Sequence, residues 1–339
     1  MKRGVLLLLP VGVAFAQQSA LDPAGPYAHR IELLGAFFLG LLGLIFLVVI
    51  ILALLSLTRR HRGIDQEPLE QNHRPSESTE RRLTRTVGIA AAVTVLILLG
   101  LVVISVSAGK ATSTPGNPDP ANALVIEITG TQWWWQVRYP NEDASRIVVD
   151  ANELHIPVGR PVLIRGTSND VIHSFWVPNL QGKRDLIPSH VTTDWMQADH
   201  AGRFRGQCAE FCGLQHAHMA LWVIAEPPDK FETWRAHQLQ PASAPADPVR
   251  QRGQQVFLDG ACALCHAIQG TAAAGQVGPD LTHFGRRSTI AAGTLPNNKG
   301  NLAGWIADPQ NIKPGTRMAT VPVKAEEMQP LLEYLEGLQ

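Results

Sequence analysis

Cys208-Ala209-Glu210-Phe211-Cys212-Gly213-Leu214-Gln215-His216-Ala217-His218-Met219 brings two thiols, imidazole and a thioether into one short stretch. Soft sulfur ligands combined with imidazole suit copper. The chain has four cysteines in 339 residues, and the other two stand in Cys262-Ala263-Leu264-Cys265-His266. That spacing is the attachment signal of a c-type haem. All cysteine chemistry therefore falls into two clusters, and each reads as an electron-carrying metal centre.

A loop between two strands is held at its ends by the sheet and supplies ligands close together. Cys208, Cys212, His216 and Met219 fit one such loop. Upstream, His173 lies in Asp170-Val171-Ile172-His173-Ser174-Phe175-Trp176, beside a strand-like run, and is the natural further ligand. A mononuclear blue copper site uses one Cys, two His and a weak Met. A dinuclear centre bridged by two thiolates accounts for the second cysteine, because two metals then share one electron. Two other readings use the same residues. His173, Cys208, Cys212 and His216 could bind structural zinc, or Cys208 and Cys212 could close a disulfide outside the cytoplasm. Neither uses Met219. His218 reads as an exposed or supporting imidazole.

Working outward, the N-terminal third is a membrane sequence. Lys2 and Arg3 precede a short Leu/Val-rich run and Ala14-Phe15-Ala16. This is a signal-peptide pattern over residues 1–16. Within residues 27–110, two uncharged stretches at about 33–58 and 86–109 exceed the roughly 20 residues that cross a bilayer as a helix. The loop between them carries Arg59, Arg60, Arg62, Arg74, Arg81, Arg82 and Arg85. Positive-inside bias puts that loop in the cytoplasm and both termini outside. Lys+Arg and Asp+Glu are balanced at 29 each, so nothing points to nucleic acid.

Residues 120–226 carry short β-like runs at 124–129, 147–149, 161–165, 175–177 and 220–225, separated by turn residues such as Tyr139-Pro140-Asn141. An all-β sandwich or barrel is expected. A Pro/Ala/Ser-rich linker at 227–246 follows. Residues 247–339 read as helical, with helix spacing at Met328, Leu331, Leu332 and Leu335.

With these motifs in place, residues 27–226 resemble subunit II of the haem-copper cytochrome c oxidases: a two-helix transmembrane hairpin, then a cupredoxin domain with the dinuclear copper A site. The pattern C-x-E-x-C-G-x-x-H-x-x-M at Cys208–Met219 carries the likeness. The resemblance implies that Cys208 and Cys212 bridge both coppers. It gives His173, His216 and Met219 the remaining side-chain positions and makes the Glu210 carbonyl a weak ligand. The Glu210 carboxylate would face a magnesium shared with subunit I. Gln132-Trp133-Trp134-Trp135 is similar to the family's aromatic patch, in which the residue matching Trp133 accepts electrons from cytochrome c. Two departures stand out. Thr79-Glu80-Arg81-Arg82-Leu83-Thr84 lacks the Trp of the family's proton-uptake stretch, so Glu80 reads equally as a solvated charge. Pro188-Ser189-His190 stands where the family has Pro-Gly-Arg, which puts contacts with subunit I there in doubt.

The C-terminal part resembles class I cytochrome c, an all-α domain. Cys262 and Cys265 would attach haem c covalently, with His266 and Met318 on its iron. Lys313-Pro314-Gly315-Thr316-Arg317-Met318 carries the Met motif, and Gly278-Pro279-Asp280-Leu281 resembles the segment whose Pro carbonyl holds the proximal His. Ala319 replaces a frequent Pro. Met328 falls in the helical pattern and reads as core.

The expected protein is a multidomain membrane subunit of a proton-translocating oxidase, with copper A, haem c and magnesium as cofactors. Its implied partners are subunits I and III, membrane lipid, and an external cytochrome c or other small redox donor. Its implied place is a bacterial cell membrane, spanned twice, with the metal domains on the periplasmic side. Oxygen reduction itself falls to another subunit, because this chain lacks the His-rich polytopic helices that would house it. Two alternatives are the copper A subunit of a nitric oxide reductase and a metal-free, disulfide-stapled binding module on a membrane stalk. The missing propeller sequence disfavours nitrous oxide reductase, and the paired cysteines disfavour a copper-free quinol oxidase subunit.

Overall fold

The structure, a computed structural model, describes residues 18–60, 77–113 and 123–339. The expected signal peptide, Arg62 and Arg74 lie outside the described residues. The chain divides into two compact units, His29–Asn117 and the remainder.

The first unit is built on α1 (Pro26–Arg60) and α2 (Glu77–Ser113). Both are long and apolar enough to cross a membrane. They extend past the expected 33–58 and 86–109 because polar turns continue each helix beyond its apolar core. At the start of α2, Arg81 pairs with Glu77 one turn earlier at 2.9 Å, an (i, i+4) contact that supports the exposed turn. Glu80 lies in that turn, where a negative charge suits the helix N-terminus. Leu39, Val87 and Leu96 are widely exposed, an apolar surface that lipid would cover.

The second unit contains a β-sandwich. Its strands are β1 (Leu124–Thr131), β2 (Trp134–Tyr139), β3 (Val148–Ala151), β4 (Glu153–Pro157), β5 (Val162–Ser168), β6 (His173–Trp176), β7 (Arg184–Leu186), β8 (Thr192–Met196), β9 (Gly202–Cys208) and β10 (Ala220–Glu226). They form two five-stranded sheets in the orders β3-β2-β1-β5-β8 and β4-β10-β9-β6-β7. Alternate residues turn inward. Ile126 and Ile128 of β1, Trp135 and Val137 of β2, and Leu221 and Val223 of β10 fill the space between the sheets. Each such side chain contributes roughly 1.5–3 kcal/mol by leaving water.

The five expected runs coincide with β1, β3, β5, β6 and β10. The other strands escaped a hydrophobicity reading for physical reasons. β9 alternates Arg203, Phe204 and Arg205, and its Arg203 guanidinium lies 5.0 Å over the Trp222 ring instead of in bulk water. β4 buries Glu153 and His155, residues that ordinarily signal surface.

The expected linker at 227–246 is only partly a linker. It contains α3 (Pro228–Gln238). Phe231 of α3 is fully buried, and Trp234 stacks on His155 with ring centroids 4.1 Å apart. The helix is therefore part of the sandwich core.

The C-terminal region comprises α4 (Pro248–Asp259), α5 (Cys262–Cys265), a small hairpin of β11 (Thr289–Ile290) and β12 (Leu295–Pro296), α6 (Lys299–Ala307), α7 (Pro309–Ile312) and α8 (Ala325–Glu336). The hairpin and an isolated bridge between Ala267 and Ala274 depart from an all-helical expectation. Helices α4 and α8 cross at Gly253, where an added Cβ would sit 2.0 Å from the Pro330 carbonyl oxygen. Only glycine permits that approach. Phe257, Leu331, Leu332 and Leu335 form the core around the crossing, and Met328 packs against it.

Candidate metal centres and their junction

β9 ends at Cys208 and β10 begins at Ala220, so the loop between them is anchored by the antiparallel pairing of those two strands. Cys208 Sγ lies 3.7 Å from Cys212 Sγ and 3.2 Å from the Glu210 carbonyl oxygen. Cys212 Sγ lies 3.6 Å from His216 Nδ1 and 3.9 Å from Met219 Sδ. His173 on β6 brings its Nδ1 to 3.9 Å from Cys208 Sγ. All six residues singled out in the sequence thus converge. The sulfurs are far beyond the roughly 2.05 Å of a disulfide. His173, Cys208 and Cys212 are all buried and offer ligand atoms within 4.8 Å of one another. Two thiols, two imidazoles, a thioether and a carbonyl are a donor set that fits copper.

The thiols interact strongly. Donation from Cys212 stabilises a thiolate on Cys208, against the cost of burial, and holds Cys208 far below the usual thiol range. The same contact drives Cys212 well above it. One proton leaves easily, and the second needs a cation to replace it.

Asp170 orients the His173 ring, a role the sequence reading missed. His173 Nε2 donates to Asp170 Oδ1 at 2.8 Å, which leaves the Nδ1 lone pair facing Cys208. A carboxylate behind a ligating histidine fixes both tautomer and orientation. Burial pushes the Asp170 carboxyl up, but the Gln132 N–H and His173 outweigh it and hold it below the usual carboxylate range. His218 places its Nδ1 2.8 Å from Gln215 Oε1. The Glu210 carboxylate is half-exposed and lies 3.6 Å from Lys183 Nζ.

The second cluster borders an apolar cavity of about 300 Å3, within the range of small-molecule pockets, about 300–1,000 Å3. Cys262, Cys265, His266 and Met318 all line it. His266 Nδ1 donates to the Pro279 carbonyl at 2.7 Å, so Nε2 keeps its lone pair. Burial holds His266 below the usual imidazole range, favouring the neutral ligand form. Gly278 is required beside it, since a Cβ there would meet the ring at 2.5 Å. Two free thiols, an oriented imidazole and a thioether around one apolar cavity fit haem.

Trp133 and Trp134 line the same cavity from the sandwich side. Trp133 is 7% exposed. Its indole Nε1–H donates to the Cys212 carbonyl at 3.0 Å, so this side chain touches both clusters. Trp134 is half-buried, and Trp135 is fully buried with its ring against His173 and Phe175.

Residues 124–226 match the family described as cytochrome C oxidase subunit II, periplasmic domain, and residues 250–339 match cytochrome c. Cytochrome c oxidase subunit 2 of Alkalihalophilus pseudofirmus is 36% identical over 328 residues, covering 95% of this chain and 91% of that one. The chain belongs to the cytochrome c oxidase subunit 2 family. Cytochrome c oxidase subunit 2 of a Bacillus species (strain PS3) is 33% identical over 231 residues, 64% of this chain and 63% of that one. The solved periplasmic domain of subunit II of cytochrome oxidase from Bradyrhizobium japonicum is 30% identical, covering 35% of this chain and 95% of that one with a TM-score of 0.33. As a subunit 2 chain, the protein is a membrane-anchored part of a haem-copper oxidase. Its two matched families imply copper and haem.

Proposed function

We propose that the chain carries electrons from an external donor, a cytochrome c or other small redox protein, through its own covalent haem c and a dinuclear copper A centre to the haem of subunit I, where oxygen is reduced to water with proton pumping. The convergence of six donor groups, five from the strand-anchored β9–β10 loop and His173 from β6, carries this reading. Cys208 and Cys212 would bridge two coppers, with His173, His216, Met219 and the Glu210 carbonyl completing the set. Cys262 and Cys265 would hold haem c, with His266 and Met318 on its iron. When bound, both groups supply one-electron chemistry without proton transfer.

The chain's own residues do the positioning. Asp170 and the Pro279 carbonyl fix the two imidazole rings. Trp133 keeps water from the space between the clusters and links the haem cavity to Cys212 by a hydrogen bond. The Glu210 carboxylate, beside Lys183, would offer one ligand to a magnesium that subunit I would complete. Subunits I and III are the membrane partners, with residues 120–339 on the periplasmic side of a bacterial cell membrane.

The test is spectroscopic. Cys208→Ser or Cys212→Ser in the assembled oxidase should abolish the mixed-valence copper resonance and leave the haem c absorption intact. A retained copper signal would refute the bridging role. Met318→Ala should leave haem attached but convert it from low spin, and a low-spin Met-type spectrum in that variant would exclude Met318.

A further inference from the structure

Lys313 is 2% exposed and extends from the end of α7 into the contact between the haem region and the sandwich. Its Nζ donates to the carbonyls of Trp133 at 2.8 Å, His218 at 2.7 Å and Ala291 at 3.0 Å. These three oxygens match the three protons of an ammonium. One belongs to the tryptophan segment, one to the copper loop and one to the loop before β12. Burial pushes the group down to about 7, a cost that an ordinary surface lysine does not bear.

The residues that follow Lys313 also reach across. The Pro314 carbonyl accepts from Gln215 Nε2 at 2.8 Å. At Gly315, held at φ +83°, an added Cβ would lie 3.4 Å from the Trp133 ring. Arg317 NH2 donates to Asp170 Oδ2 at 3.0 Å, so the carboxylate behind His173 is also tied to the residue before Met318. Opposite, Ala291 and Ala292 sit in the left-handed region at φ 52° and 58°, a conformation that costs alanine energy and persists only where its surroundings hold it. Their carbonyls face Lys313 Nζ and the Ala220 N–H, the latter at 3.0 Å.

We infer that Lys313 is a positioning residue that clamps the methionine-bearing loop of the haem domain onto the copper loop and Trp133, fixing the distance between the two redox centres. The proposal rests on the electron-transfer reading above. A hydrophobic residue would fill the same volume but could not hold three carbonyls from three segments in one register. Arg317 and Gln215 hold the edges of the same joint.

Lys313→Met in the full chain within the oxidase tests it. Both metal spectra should be unchanged, and direct reduction of copper by a small ruthenium complex should proceed at the wild-type rate. After a light pulse that reduces haem c, transfer to copper should be measurably slower than in the wild type, because tunnelling between two centres falls steeply as their separation grows. Hydrogen exchange at the Ala220 amide, measured without metals, should accelerate. Wild-type transfer in Lys313→Met, or in Lys313→Gln where the methionine variant fails to assemble, overturns the clamp. If unmutated chain shows no copper resonance, the functional reading fails instead, and exchange at Ala220 still decides the clamp.

Discussion

At the scale of single residues, Asp170 does more than its spacing suggests. Its carboxylate serves His173 Nε2, the Gln132 N–H and Arg317 at once. Asp170→Asn should weaken copper retention against a chelator by roughly 10–100-fold, the usual consequence of losing a group behind a metal ligand, with the haem spectrum unchanged. Asp194 makes a separate, pH-dependent contribution. Burial raises its carboxyl from 3.8 to about 6, with the Arg184 guanidinium 3.9 Å away opposing the shift. The folded chain therefore binds this proton more tightly than the unfolded chain. The resulting stability is complete below pH 3.8 and is lost as pH rises through about 6. Asp194→Asn should remove that dependence and stabilise the protein at pH 7 by about 1–3 kcal/mol, read as a difference between denaturant titrations at pH 4 and 7. Most of the candidate copper ligands were legible from sequence because Cys208, Glu210, Cys212, His216 and Met219 crowd onto one short loop with the right donor chemistry, and His173 stands beside a strand-like run. Lys313 was not, because its three carbonyl partners lie far along the chain and meet only after folding; Asp170 stands only three residues from His173, but nothing local shows that its carboxylate turns to that ring or that Gln132 and Arg317 share it.

At the scale of elements, the α4–α8 crossing depends on the missing side chain of Gly253. Gly253→Ala should lower stability by about 1–3 kcal/mol, the usual cost of overpacking, and should lower the thermal midpoint of the haem region. The α8 periodicity of Leu331, Leu332 and Leu335 announced that helix in advance. The strands β4 and β9 hid because their inward or paired positions carry Glu153, His155 and arginines, whose charges are satisfied by neighbours that no local pattern reveals. Helix α3 hid inside a stretch rich in linker residues. Only the fit of Phe231 and Trp234 against Tyr139 and His155 makes it part of the core.

At the scale of the molecule, the sandwich and the haem region share polar ties as well as the Lys313 joint. Arg287 donates to Asp150 Oδ1 from Nε at 3.0 Å and NH2 at 2.7 Å, and Glu153 accepts from the Ser288 N–H at 2.8 Å. Asp150 is buried and the Arg287 side chain is only 9% exposed. Removing one strands the other charge, at a cost of about 3–5 kcal/mol. Calorimetry of the wild-type chain should show the two regions melting in one transition, and Arg287→Ala should split it in two. Trp133 is 7% exposed and lies against Gly315. A diffusing protein has no approach to that indole, so no collision between charged surfaces stands between haem and copper. Ionic strength should therefore govern only how fast an outside donor delivers its electron. The onward step should proceed equally fast in dilute buffer and in concentrated salt, a flat response that a partner docking freely at this tryptophan could not produce.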